Sequence, residues 1–141
     1  MDYKEINGDL FKLPENYYLC HCISSDFKLG LGIAAEFDKR YDMRKKLFSK
    51  YQPNVFKPCA LLVDNVFNLV TKEKYWFKPT YKTLQDSLLD MKEQVLKLNI
   101  KYLGMPVIGC GLDKLEWYKV SKIIQEVFCD LDINIRVVKK C

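Results

Sequence analysis

The chain has 141 residues, the length of one folded domain. Hydrophobic residues make up 49% and charged residues 29%, which excludes disorder over most of that length. Lys plus Arg number 23 against 18 Asp plus Glu, a net charge of +5. The lysines are scattered, so they suit an anionic ligand weakly and form no stripe for nucleic acid.

Residues 1–141 therefore read as a single domain, expected to be a monomer. No apolar run approaches the ~20 residues of a membrane span. The start Met1-Asp2-Tyr3-Lys4-Glu5 lacks the basic and apolar regions of a secretory leader. An intracellular protein without membrane contact is expected. The six cysteines are Cys20, Cys22, Cys59, Cys110, Cys129 and Cys141, and none forms a C-x-x-C pair. They read as small buried hydrophobes in a reducing compartment, with no metal site.

The elements alternate along the chain. Tyr3 to Ile6 reads as a short strand, ended by Asn7-Gly8, and Tyr17 to Ile23 as a buried one. Gly30 and Gly32 open a helical segment in which Ile33, Phe37, Tyr41, Phe48 and Tyr51 recur at roughly helical spacing. The stretch Tyr51 to Pro58 contains two prolines and reads as a loop. Cys59 to Val63 and Val66 to Thr71 read as a hairpin turned at Asp64-Asn65. A loop carrying Tyr75-Trp76-Phe77 leads into a helix with Leu84, Leu88, Met91, Val95 and Leu98 on one face. Tyr102 to Ile108 is the next strand. Val120, Ile123, Ile124, Val127, Phe128 and Leu131 mark the last helix, and Ile133 to Val138 closes the chain as a strand.

This alternation predicts an α/β fold: a mixed sheet of about six strands with helices on both faces. Ligands of such sheets sit beyond the carboxyl ends of the strands. The loops to inspect are Gly8 to Phe11, Ser24 to Gly32, Lys74 to Thr80 and Gly109 to Lys114.

Gly30-Leu31-Gly32 and Gly109-Cys110-Gly111 each stand between a strand and a helix. Glycine lets backbone N–H groups cup a phosphate beside a helix N-terminus. Two such loops suit a pyrophosphate held from two sides, although either alone reads first as an ordinary turn. Asp113 with Glu116 fits a capping box, Asp113 being the cap, and would still face the cleft. Asp9 is a second acidic candidate or a turn residue. Lys78, before Pro79 and after three aromatics, is placed at the positive end of a helix. Apolar surroundings and that dipole are what activate an amine as a nucleophile; a solvated loop lysine is the plain alternative. His21, the only histidine, lies inside an apolar strand and reads as a core residue, which disfavours a Ser-His-Asp hydrolase.

Five stretches together resemble the macrodomains, the ADP-ribose-binding fold. They are Gly8-Asp9-Leu10-Phe11, His21-Cys22-Ile23-Ser24, Gly30-Leu31-Gly32-Ile33-Ala34, Lys78-Pro79-Thr80-Tyr81 and Met105 through Asp113. Within that fold the chain is similar to the branch of the terminal ADP-ribose protein glycohydrolase, also described as an O-acetyl-ADP-ribose deacetylase. The resemblance implies a three-layer α/β/α architecture and no cofactor. It implies that Asp9 and Leu10 lie by the adenosine. Ser24, Gly30, Gly32 and Ile33, with Ile108, Gly109, Cys110, Gly111 and Leu112, would hold the diphosphate and distal ribose. It carries the catalytic lysine to Lys78 and the catalytic aspartate to Asp113. The substrates it implies are mono-ADP-ribosylated proteins and O-acetyl-ADP-ribose.

The chain departs from the family in having Leu29 where Met is frequent and Val107 where a basic residue is common. Cys20 to Ser24 occupies the region where other hydrolytic macrodomains carry Asn-Ala-Ala-Asn, which disfavours a mechanism built on those asparagines. Tyr51 to Tyr75 lies outside the matching stretches. Two rivals stay open: a binding module that does not turn ADP-ribose over, and a phosphatase acting on ADP-ribose 1″-phosphate.

Overall fold

The computed structural model describes residues 1–140. Its strands are β1 (Asp2–Asn7), β2 (Tyr18–Ser24), β3 (Cys59–Val63), β4 (Val66–Lys72), β5 (Tyr102–Met105) and β6 (Asn134–Lys139). Its helices are α1 (Gly32–Tyr41), α2 (Met43–Lys50), α3 (Tyr81–Lys97) and α4 (Trp117–Phe128). The strands form one sheet in the order β1-β6-β5-β2-β4-β3. Every neighbouring pair is parallel except β3 with β4, whose register pairs Val63 with Val66 across the Asp64-Asn65 turn. The mixed sheet and the hairpin are those the sequence predicts.

Both faces of this sheet are covered. On one, Leu84, Leu88 and Met91 of α3 and Val120, Ile124 and Phe128 of α4 pack on Cys20, Phe67, Leu103 and Ile135. On the other, Phe37 of α1 and Met43 and Leu47 of α2 pack on Leu19, Ile23, Val66 and Val70. Residues two apart on a strand share a face, which is why Cys20 and Leu19 belong to opposite cores. β4 is buried from Val66 through Thr71, the mark of a strand covered on both sides.

Several boundaries differ from the sequence reading. The helical segment after Gly32 is two helices, because Asp42 adopts a left-handed backbone (φ 54°) and ends α1. β5 stops at Met105 because Pro106 has no N–H to donate to the ladder. α4 begins at Trp117, with Glu116 at its cap position and no side-chain cap bond. Asp113 is therefore not a helix cap. Lys114 has φ 60°, which breaks any helix that would begin there. Cys20 is buried and Cys22, Cys59 and Cys110 half-buried, but Cys129 is exposed rather than a core hydrophobe. Cys141 lies outside the described residues.

Candidate active site

Beyond the carboxyl ends of β2, β4 and β5 lies a cleft of about 870 Å³. Three loops build it, those following β2, β4 and β5. Of the residues singled out in the sequence, Ser24, Gly30, Gly32, Ile33, Lys78, Ile108, Gly109, Gly111, Leu112 and Asp113 line it. Asp9, Leu10 and Cys110 are outside the lining. Asp9 is exposed, and its carboxylate accepts from Phe11 N–H at 3.0 Å, so it shapes a turn. Leu10 is buried in the α1–α2 core.

The loop after β2 is pinned by Asp26. Its Oδ1 accepts from the Ser24 hydroxyl and from Lys28 N–H, and its Oδ2 accepts from Tyr75 N–H at 3.0 Å. One carboxylate thereby ties the first loop to the loop that carries Lys78. α1 then starts at Gly32 with Leu31 in the cap position and no capping side chain. The N–H groups of its first turn are left for solvent or an anion.

The loop after β5 turns at Gly109, whose φ of 73° is a left-handed backbone. Leu115 N–H donates to the Gly109 carbonyl at 2.8 Å and closes the turn. Gly111 is exposed, with nothing within 4 Å of where a Cβ would stand. Asp113 follows, and its Oδ1 takes a 2.6 Å ion pair from Lys72 at the end of β4. Lys78 Nζ donates to the neighbouring Leu112 carbonyl oxygen at 2.6 Å. The apolar enclosure expected around Lys78 is absent, since Lys78 and the three aromatics before it are all exposed.

The lining is electropositive. Lys28, Lys72, Lys78 and Lys114 line the cleft with a single carboxylate, Asp113, which is already neutralised by Lys72. Cys22 also lines it, with its thiol pushed up to about 12 by burial and then by the Asp113 charge. Burial and Asp113 likewise push Cys110 up to about 11. Both shifts work against a thiolate nucleophile. His21 lies outside the lining and is fully buried, stacked on Phe37 as the sequence reading of a core histidine requires.

Among characterised proteins, the ADP-ribose glycohydrolase OARD1 of Homo sapiens is 42% identical over 134 residues. That alignment covers 94% of this chain and 88% of the relative. The macrodomain of Thermus aquaticus DarG superposes with a TM-score of 0.83 at 20% identity, over 99% of this chain and 98% of that one. The chain belongs to the macrodomain family, in the branch of OARD1. No family model matches it. The macrodomain fold also aligns it with a structure of Thermosipho africanus DarTG in complex with ADP-ribose. There the TM-score is 0.76 at 18% identity, over 98% of this chain and 41% of that one.

For this macrodomain, sequence reasoning missed Lys72 and Asp26. Asp26 had a readable signal, an Asp two residues past Ser24 and two before Lys28 in a turn-forming stretch. Lys72 had none, because its partner lies on another loop after a different strand.

Proposed function

We propose that this macrodomain hydrolyses ADP-ribosyl esters, releasing ADP-ribose from acidic side chains of proteins or acetate from O-acetyl-ADP-ribose. The reading is supported by its 42% identity to a protein named ADP-ribose glycohydrolase. The observation that carries it is that Lys78 and Asp113 line one cleft together with Gly32 and Gly111. A binding module needs the glycine loops but neither of those two side chains.

In this reading the diphosphate lies between the amides at the start of α1 and those of the Gly109 to Gly111 loop. Adenosine extends out of the cleft toward exposed Asp9 and buried Leu10, the two residues to which the family resemblance gives that role. Lys78 Nζ attacks the anomeric carbon of the distal ribose. The N–C bond forms as the C–O bond to the protein carboxylate breaks, and the carboxylate leaves with the electron pair. Asp113 accepts the proton shed by the nitrogen. It returns that proton to the nitrogen as the C–N bond breaks, and it takes one proton from the water whose oxygen bonds to the same carbon, so that lysine leaves as the amine and the ribose carries a hydroxyl. The test is incubation with an auto-ADP-ribosylated protein, measuring ADP-ribose set free. Release that disappears in Lys78→Ala supports the hydrolase; tight binding of ADP-ribose with no release leaves a binding module.

A further inference from the structure

We infer that Lys72 is a positioning residue that holds the Asp113 carboxylate in its working orientation. The inference rests on the proposed role of Asp113 in ester hydrolysis.

The two ends of this ion pair differ in how they are anchored. Lys72 is the last residue of β4, and its backbone still pairs with Ser24 of β2, past a shift of register between Ile23 and Ser24. Asp113 sits in the loop turn that Lys114 N–H closes on the Gly111 carbonyl oxygen at 3.2 Å, with left-handed Lys114 after it and no helix to fix it. Among the described residues, Lys72 is the one side-chain hydrogen-bond partner of Asp113. The bond is 2.6 Å long and engages Oδ1, leaving Oδ2 free for a proton. The side chains are only 14% and 15% exposed, so solvent and salt loosen this pair far less than a surface one.

Lys78 bonds to the carbonyl of Leu112, the residue just before Asp113, and not to the carboxylate itself. Two lysines thus grip adjacent groups of one loop, Lys72 the carboxylate of Asp113 and Lys78 the carbonyl oxygen of Leu112. With Lys72 removed, a half-buried carboxylate is left unpaired, and Lys78 is a cation within reach of the same loop. A nucleophile held by that carboxylate is misdirected, and the carboxylate no longer serves the proton transfer that resolves the adduct.

The experiment is a double-mutant cycle on Lys72→Met and Asp113→Ala, with kcat, ADP-ribose Kd, melting temperature and intact mass measured for each. Lys72→Met is expected to lower kcat by about tenfold or more, leave Kd within about twofold, and accumulate a lysyl–ADP-ribose adduct. The double variant is expected to be no slower than Asp113→Ala alone. Lys72→Arg, which keeps a cation for the carboxylate, is expected to recover part of kcat and guards against a variant that fails to fold. Multiplying losses in the cycle overturn the inference. So does a Lys72→Met defect that falls on Kd, which makes Lys72 a phosphate ligand instead. If the unmutated protein releases no ADP-ribose, the hydrolase reading fails first and the role of Lys72 with it, a result distinct from multiplying losses in an active protein.

Discussion

Lys78 Nζ donates a 2.6 Å hydrogen bond to the carbonyl oxygen of Leu112, joining the loop after β4 to the loop after β5 at the mouth of the cleft. The amine is exposed and packs into no core, so its removal is expected to leave the fold intact. Lys78→Ala should change stability by no more than about 0.5 kcal/mol. Its ADP-ribose affinity should be nearly unchanged, while turnover falls by about three orders of magnitude or more as the nucleophile is lost. Lys78→Arg separates chemistry from tethering. A guanidinium still reaches the Leu112 carbonyl but stays protonated and does not attack. Turnover of Lys78→Arg near that of the unmutated protein would sink the covalent mechanism.

The two glycines of the loop after β5 should respond in opposite ways. A Cβ on Gly109 meets Leu115 Cδ1 at 3.2 Å, and its φ of 73° strains any L side chain. Gly109→Ala should therefore cost about 1–2 kcal/mol of stability. Gly111 has open space around it on the cleft side. Gly111→Glu should melt like the unmutated protein yet weaken ADP-ribose binding about tenfold or more, through bulk and like charge in the diphosphate cradle. Calorimetric titration and thermal melting of the two variants check this; unchanged affinity in Gly111→Glu moves the phosphate site elsewhere.

How far the site could be read in advance follows from the range of the interactions involved. The cores were legible because Leu84, Leu88, Met91 and Val95 repeat at helical spacing and Val66 to Thr71 is an unbroken buried run. Thr80, the cap of α3, was also readable, since its hydroxyl accepts from Thr83 N–H within a local motif. The break at Asp42 was not, because an aspartate in a left-handed backbone looks like any polar helix residue. Phe27 and Leu29 are likewise left-handed, at φ 54° and 44°, held there by burial and not by their own preference. Asp113 illustrates the limit most clearly. Its spacing to Glu116 satisfies a local capping pattern, but the partner it has is Lys72, distant in the chain and brought near only by the sheet.

Ligand binding should be visible in thermal melting. A ligand that binds only the folded state stabilises it by mass action, about 2.7 kcal/mol at a hundredfold excess over Kd. For a domain of this size that raises the melting temperature by about 5–10 °C. ADP-ribose should produce such a shift at saturation, and AMP at the same concentration a smaller one, because it lacks the second phosphate and the distal ribose. Equal shifts from the two would remove the case for a cradle formed by the start of α1 and the Gly109 to Gly111 loop.

The buried histidine makes the stability of the fold sensitive to acid. His21 Nε2–H donates to Asn68 Oδ1 at 2.6 Å, and Asn68 in turn donates to the Leu61 carbonyl at 3.0 Å. Nδ1 is buried with no partner among the described residues, so a second proton there would place an uncompensated cation inside the sheet. Burial accordingly lowers the His21 pKa to about 4, against a slight opposing pull from the Asn68 bond. In the unfolded chain an ordinary histidine titrates near pH 6.5, so below that pH the unfolded state binds a proton that the folded state refuses. The contribution of neutral His21 is complete above about pH 6.5 and lost as pH falls toward 4. Between pH 7 and pH 5 the loss is about 2 kcal/mol, and no other histidine in the chain shares it. Urea unfolding at the two pH values should show this drop. In His21→Gln, which keeps an amide donor toward Asn68 but does not titrate, most of the drop should vanish even though the variant is less stable overall. Identical pH dependence in the two proteins would mean that His21 takes up its proton as readily inside the fold as outside it.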